Sequence, residues 1–348
     1  MKRLRRVALA LKRLCEGSID GPDPFIEPSP LSAGKSRLVF TGTGNSTGTP
    51  RPACLLSMQD DPDSRVSLLA MRGSPKNNRN YRGNPGMLIQ YAAADGGISN
   101  IQIDVGKTYR ESLLRWYPVY RVPWIDAVIL THDHADAILG CDDLRTVQKA
   151  SKPVDQTSAA SRMAGASVLP VFVSPRHMPV LRSVFPYLMP KEEKSSTNGV
   201  VRFVAKLDWK EVADFETFAC PGGLEVTTLP VLHGKDYICQ AFAFGRKDRV
   251  AYLSDVSAVP PETLAFLERE PIHLLILDTL YETSHATHFG LQDALMLIRR
   301  LRPQRALLVG ISDAFEHHAT NLRLSALRKS EGLDVQLAYD GQYVDVDL

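Results

Sequence analysis

An apolar segment that leads directly into a cluster of histidines and acids constrains this chain more than any other feature. Residues 127–130 have the composition of a short buried strand, and Thr-His-Asp-His-Ala-Asp (131–136) follows at once. Two imidazoles at positions i and i+2, with a carboxylate two residues further on, converge when the chain turns sharply after a strand. Neutral imidazole and carboxylate are ligands that Zn²⁺ and similar ions prefer. The pattern predicts a metal site, the alternative being hydrogen-bonded loop histidines.

Two other predicted strands end in the same kinds of side chain. Residues 224–229 lead to His233-Gly234, and residues 250–253 lead to Ser254-Asp255. A rigid sheet can hold groups at its strand ends near one another, although a lone His or Asp after a strand is more often structural. With His132 and His134, these residues make a set of three histidines and a carboxylate.

Short apolar runs alternate with helical patterns along most of the chain, which predicts a layered α/β domain. Strands are predicted at 37–41, 87–91, 101–104, 126–130, 169–173, 200–205, 224–229, 238–244, 250–253, 273–277, 306–309 and 335–338. Helices are predicted at 110–117, 175–185, 261–268, 291–301 and 320–331. We interpret 37–348 as one domain after a basic segment and linker at 1–36, with a polar loop region at 43–84 and a mobile insertion at 150–168.

Composition excludes several classes of protein. The net charge of +2 argues against a surface that coats nucleic acid, and five scattered cysteines without a Cys-x-x-Cys pair argue against a disulfide framework. No apolar run approaches the roughly 20 residues that span a bilayer, so we expect no membrane partner. Residues 1–15 are basic, free of acids and amphipathic, which fits either a mitochondrial transit peptide or a solvated helix. We therefore expect an intracellular protein, cytoplasmic or mitochondrial.

The motifs together resemble the metallo-β-lactamase superfamily, from about Arg37 to Leu348. Leu-Val-Phe-Thr-Gly-Thr-Gly (38–44) and Ser-Thr-Gly-Thr-Pro (46–50) resemble the opening of its phosphodiesterase branch, which includes ribonuclease Z and PhnP-type cyclic phosphodiesterases. An uncharacterised plant and fungal group is more similar still. It shares Ile-Asp-Val-Gly-Lys-Thr (103–108), Thr-His-Asp-His-Ala-Asp-Ala (131–137), Gly-Cys-Asp-Asp-Leu-Arg (140–145), Leu-Asp-Thr-Leu-Tyr (277–281) and Thr-His-Phe (287–289). The resemblance implies a four-layer αββα sandwich, and it places Asp104 beneath the metal site.

The resemblance also implies a ligand set. His132, His134 and His233 would hold a first metal, Asp255 would bridge two metals, and Asp136 would bind the second. The expected metal is Zn²⁺, with Mn²⁺ as an alternative.

Two departures affect only the second metal. Ala137 and Gly310 stand where the family has histidines. Either His317, His318 or Asp313 rebuilds the second site, or the enzyme uses one metal. Where relatives carry several cysteines that could bind a structural zinc, this chain has Cys54, with Ser64, Ser67 and Gly83 nearby, so we expect no such zinc.

The implied mechanism is attack on a phosphodiester by hydroxide formed at the metal, because zinc lowers the pKa of bound water to about 7. Asp136 would orient or deprotonate the water, and His288 would protonate the leaving group, with His285 as a weaker candidate. Candidate contacts to an anionic substrate are Lys235, Tyr237 and Arg145.

The expected substrate is a small phosphodiester or an RNA end. Ribonuclease Z itself is disfavoured, because no long basic insertion suited to tRNA is present. The alternatives are a thioester or ester hydrolase of the same fold, since a fold does not fix a substrate, and a metal-binding protein without catalysis. A homodimer is compatible with the sequence.

Overall fold

The first strand shows how the core is divided into layers. In β1 (Ser36–Gly42) every residue is buried. Leu38 and Phe40 belong to the apolar core between two sheets, whereas Val39 belongs to the core under the helices on the other face. Side chains alternate between the two faces of a strand, so a strand covered on both faces is expected to be a continuous apolar run.

The structure is a computed structural model that describes residues 25, 27–57, 64–149, 167–190 and 204–348. The basic segment predicted at 1–15, about half of the linker, and residues 150–166 of the predicted insertion lie outside the described residues. The single domain predicted at 37–348 stays a prediction.

The strands of the described residues form two seven-stranded sheets. The remaining strands are β2 (Gly86–Ala92), β3 (Ile98–Ile103), β4 (Ala127–Ile129), β5 (Leu169–Val173), β6 (Leu207–Glu211), β7 (Thr217–Ala219), β8 (Glu225–Leu232), β9 (Ile238–Phe244), β10 (Val250–Leu253), β11 (Leu274–Asp278), β12 (Arg305–Val309), β13 (Val335–Leu337) and β14 (Tyr343–Val346). Sheet 1 has the order β14-β1-β2-β3-β4-β5-β6, and sheet 2 has the order β13-β12-β11-β10-β9-β8-β7.

Parallel pairing explains why chemistry gathers at one edge of the sandwich. Strands β3 to β6 are parallel in sheet 1, and β10 to β13 are parallel in sheet 2. Strand β8 runs antiparallel to β9, which is antiparallel to β10, so β8 ends at the same edge as β10. The residues that follow β8, β10 and β11 therefore lie at one edge of sheet 2, and those that follow β4 lie at the carboxyl edge of the parallel strands of sheet 1.

Helices cover the outer face of each sheet. The α-helices are α1 (Pro52–Ser57), α2 (Ser64–Ala70), α3 (Tyr109–Trp116), α4 (Ala135–Ile138), α5 (Met178–Val184), α6 (Pro261–Glu268), α7 (Leu291–Leu301) and α8 (His317–Ser330). Buried side chains of α3 and α5 share a core with sheet 1, and those of α6, α7 and α8 share a core with sheet 2. The predicted four-layer αββα sandwich is confirmed.

Three strands that the sequence analysis missed all lie at sheet edges. Strands β6 and β14 are the two edges of sheet 1, and β7 is an edge of sheet 2. Edge strands are partly exposed, so they lack the long apolar run that marks a central strand. The strand predicted at 200–205 is wrong for the two residues that the structure describes, because 204 and 205 precede β6.

One loop prediction and one helix prediction also need correction. The region 43–84, predicted as loop, contains α1, α2 and a short 3₁₀-helix, Pro75–Asn77. Helix α8 begins at His317 rather than at residue 320, because the Glu316 carboxylate accepts a hydrogen bond from the N–H of Ala319 at 2.7 Å. A side-chain oxygen at this position satisfies one of the N–H groups that a helix start leaves unpaired.

Within the part of the chain that the structure describes, no helix is both long enough and apolar enough to cross a membrane.

Candidate metal centre

Three histidines from three segments of the chain meet at the edge where β4 and β8 end. The nitrogen atoms that His132, His134 and His233 can offer to a metal lie within 4.8 Å of one another. His132 and His233 are buried, whereas His134 is exposed. The structure thus brings together the three histidines that the sequence proposed for the first metal.

The orientation of His132 is set by a hydrogen-bonded chain. The Thr131 hydroxyl donates to Oδ2 of Asp104 at 2.8 Å and lies 2.8 Å from Nδ1 of His132. With its proton engaged by Asp104, the hydroxyl is left to accept the Nδ1–H of His132. The other nitrogen, Nε2, is buried and has no hydrogen-bond partner. A buried polar atom without a partner is costly, and a metal ion would satisfy this one.

His233 is held in the same tautomer by a different partner. Its Nδ1 donates to the backbone carbonyl of Thr287 at 2.7 Å, which leaves Nε2 free. Burial and the neighbouring His288 lower the pKa of His233 to about 4, against the Thr287 bond. Burial, together with the other histidines, holds the pKa of His132 well below its usual range. Both rings are therefore neutral at pH 7, as metal binding requires.

Asp255 and its neighbours add excess negative charge. Asp255 is buried and adopts a left-handed backbone conformation with φ 53°, which is uncommon outside glycine. Burial, Asp136 and Asp278 raise its pKa well above the usual range. A divalent cation would relieve this repulsion. The residues present therefore fit a metal ion.

A second group of closely spaced ligand atoms consists of His233, Asp255 and His288. His288 Nδ1 lies 2.7 Å from Oδ2 of Asp278, a carboxylate with no exposed surface. Although burial lowers the pKa of His288, the charge and hydrogen bond of Asp278, with the charges of Asp255 and Asp136, raise it to about 9. His288 is thus half-buried, positively charged at neutral pH and directed by a carboxylate.

The structure explains why position 310 is a glycine. Its φ is +70°, and a Cβ atom there would lie 2.0 Å from Oδ1 of Asp278. The position therefore makes room for the carboxylate that holds His288.

Asp136 lies close to these groups without joining either of them. It is buried, and its charge raises the pKa of Asp255. Gly106 permits the close approach of its backbone, because a Cβ at that position would lie 1.8 Å from the Asp136 carbonyl oxygen. Neither group of ligand atoms found in the described residues includes the Asp136 carboxylate.

The residues considered as replacements for the missing second-site ligands have other partners. Asp313 Oδ2 accepts hydrogen bonds from Cys54 Sγ at 3.2 Å and Ser67 Oγ at 2.9 Å. His317 Nε2 contacts Asn321 at 3.0 Å, and His318 is exposed. Among the described residues, neither group of ligand atoms contains any of these three, so the structure does not support a second site rebuilt from them.

The candidate contacts to an anionic substrate lie in different surroundings. Tyr237 stacks on His134, with ring centroids 4.7 Å apart and an interplanar angle of 17°. Arg145 pairs with Asp142 at 3.1 Å, and Lys235 is exposed. His285 is exposed and lies beside the Thr287 hydroxyl.

Asp278 and His177 have no predicted role in the sequence, although both lie at or after the end of a strand, as the predicted ligands do. Asp278 ends β11, and His177 follows β5 within a short 3₁₀-helix, Pro175–His177. Polar residues at the ends of parallel strands were the available signal.

Comparison with known proteins agrees with the fold. The sequence model described as the Beta-lactamase superfamily domain matches residues 99–311, which is well over half of the chain. A solved structure of a new diphosphatase from the PhnP family has a TM-score of 0.67 and 26% sequence identity, and the match covers 90% of this chain and 97% of that one. The short form of human tRNase Z has a TM-score of 0.51 and 14% identity, covering 88% and 98%.

A curated relative shows a partial match. An octanoyltransferase of Porphyromonas gingivalis (strain ATCC BAA-308 / W83) is 24% identical over 290 residues, which is 81% of this chain and 46% of that protein. The chain therefore spans about half the length of this relative.

The match over residues 99–311, the αββα layers and the histidine cluster at the sheet edge together show that the chain belongs to the metallo-β-lactamase superfamily.

Proposed function

We propose that this chain is a metal-dependent phosphodiesterase that acts on a small phosphodiester or on an RNA end. The observation that carries the proposal is the cluster of His132, His134 and His233, in which the buried Nε2 of His132 has no partner. A hydrolytic superfamily and this set of three imidazoles point to the same chemistry.

The metal would be held by His132, His134 and His233 together with Asp255. Three nitrogen ligands and a carboxylate suit Zn²⁺, and Mn²⁺ is the alternative. When bound, such an ion polarises a phosphoryl oxygen and lowers the pKa of water.

Two side chains would handle protons. Asp136 would accept a hydrogen bond from the attacking water and orient it. His288 gives its Nδ1–H to Asp278, which leaves the Nε2–H to protonate the departing oxygen. A positioned acid or base of this kind contributes about 10²–10⁴-fold to the rate.

Phosphoryl chemistry is favoured by the similarity to the PhnP-family diphosphatase at 26% identity over nearly the whole chain. A positively charged His288 beside the metal ligands would also attract a phosphodiester anion.

Hydrolysis of an ester or thioester is the second candidate, and the match to an octanoyltransferase favours it. That match covers less than half of the other protein, so acyl chemistry comes second.

The test is hydrolysis of bis(p-nitrophenyl) phosphate and of p-nitrophenyl octanoate by purified protein loaded with Zn²⁺ or Mn²⁺. We expect diester turnover that His132→Ala and Asp136→Ala abolish and that His285→Ala, a change of an exposed histidine in the same loop as His288, leaves intact. Turnover of the octanoate alone would favour the second candidate. Stoichiometric metal binding with no turnover of either substrate would identify a metal-binding protein and refute the phosphodiesterase.

A further inference from the structure

We propose that Asp133, the residue between His132 and His134, is a positioning residue that ties the metal ligands of sheet 1 to those of sheet 2 through Tyr237. The proposal rests on the metal centre described above, and it concerns how tightly that centre holds its ion.

Asp133 uses both carboxylate oxygens on partners from other segments. Oδ1 accepts a short hydrogen bond from the Tyr237 hydroxyl, and Oδ2 lies 3.2 Å from Nδ1 of His177. The Asp133 side chain is 10% exposed and that of His177 is 3% exposed. These contacts are therefore shielded from water. A charge-assisted hydrogen bond is stronger in such a buried position than at the surface.

Tyr237 acts on the metal ligands at both of its ends. Its ring stacks on the exposed ring of His134. Its backbone carbonyl accepts a hydrogen bond from the N–H of His233 at 2.9 Å, within the turn that joins β8 to β9. One residue thus restrains a ligand from each sheet.

The resulting connection crosses the sandwich. Asp133 follows β4 of sheet 1, whereas Tyr237 lies between β8 and β9 of sheet 2. His177 adds a third attachment from the segment after β5. His134 is exposed, and its ring contacts the rings of the other two ligands edge-on or tilted, whereas Tyr237 stacks flat against it. The Asp133–Tyr237 bond therefore sets the separation between His134 and His233.

The test is a double-mutant cycle on Zn²⁺ affinity with Asp133→Asn, Tyr237→Phe and the double variant, each first stripped of metal. Partners that orient metal ligands typically affect affinity by about 10–100-fold, and we expect that loss from each single change. The double variant should lose no more than the larger single loss, because Tyr237→Phe abolishes the same bond that Asp133→Asn weakens by removing the charge of its acceptor. The absorption bands of bound Co²⁺ should also shift in Tyr237→Phe.

The chain offers a matched control cycle. The Tyr187 hydroxyl donates to Oδ1 of Asp142 at 3.2 Å, a tyrosine–carboxylate pair that contains no proposed ligand. Asp142→Asn and Tyr187→Phe should change Zn²⁺ affinity by less than about 3-fold, since no ligand depends on them.

Native Zn²⁺ affinity in a cooperatively folding Tyr237→Phe would overturn the proposal, and so would fully additive losses in the cycle. Tyr237→Phe removes one hydroxyl only and keeps the ring, so it remains decisive if Asp133→Asn does not fold. Because the readout is metal affinity, failure to hydrolyse any phosphodiester would count against the proposed function and not against this inference.

Discussion

Asp104 accepts two hydrogen bonds from Thr131, one from the backbone N–H to Oδ1 and one from the hydroxyl to Oδ2, each 2.8 Å long. Burial raises the pKa of Asp104 to about 8, against these two bonds. Thr131 in turn contacts Nδ1 of His132, so a buried acid at the end of β3 reaches a candidate metal ligand that follows β4.

Thr131→Val should weaken metal binding while the fold persists. The change removes the acceptor for the Nδ1–H of His132, and we expect about 10–100-fold lower Zn²⁺ affinity, the usual effect of losing such a partner. Thr228→Val is the control, because the buried Thr228 hydroxyl bonds only backbone carbonyls of 213 and 216. Equal affinities of both variants, measured by competition with a zinc chelator, would exclude the orienting role.

Replacing Gly310 by histidine should damage the site and not restore a ligand. A side chain there would meet the Asp278 carboxylate at 2.0 Å, and the positive φ adds about 1–2 kcal/mol of strain. We expect Gly310→His and Gly310→Ala to lower the thermal unfolding temperature clearly. Gly223→Ala, at φ +94° with no atom within 4 Å, should show the effect of φ alone. A Gly310→His protein of native stability that binds an additional ion would contradict this reading.

The stability of metal-free protein should depend on the charge of His233 in acid. The pKa of His233 is about 4 in the folded protein and 6.5 in the unfolded chain. As the pH falls from 6.5 to 4, the unfolded chain takes up a proton that the folded protein does not, so the free energy of unfolding decreases. The decrease amounts to about 3 kcal/mol, complete below pH 4. Chemical denaturation with a chelator present measures the free energy of unfolding of the wild type and of His233→Gln. The difference between these two free energies should change by this amount; a constant difference from pH 4 to pH 7 would refute the prediction.

His288→Ala should slow the reaction by a factor that depends on the leaving group. An alkoxide leaving group needs a proton, so we expect a loss of about 10²–10⁴-fold, whereas p-nitrophenolate departs without one and should show a much smaller loss. Asp278→Asn should act in the same direction, because Asp278 holds the His288 ring. Metal content should stay unchanged in both variants. Equal losses on the two substrates would argue against proton donation.

The sequence by itself determined the central strands and which histidines could be grouped as candidate ligands. Strands buried on both faces must be continuous apolar runs, so β5, β9 and β10 were predicted with the bounds that the structure has. Side chains that follow such strands have little freedom in where they lie. His132, His134 and His233 could therefore be grouped from the sequence, because each follows a predicted strand.

Only the tertiary structure decided the parts that depend on contacts between distant segments. The edge strands β6, β7 and β14 owe their conformation to pairing with a neighbouring strand, since their own residues are partly exposed. Asp313 could have been a metal ligand from its position in the chain, yet Cys54 and Ser67 hold it elsewhere. Asp278 could direct His288 only because Gly310, thirty-two residues further on, leaves space for a carboxylate. The sequence indicates which side chains lie near the end of a strand. The partner of each side chain is decided by the packing of the whole sandwich.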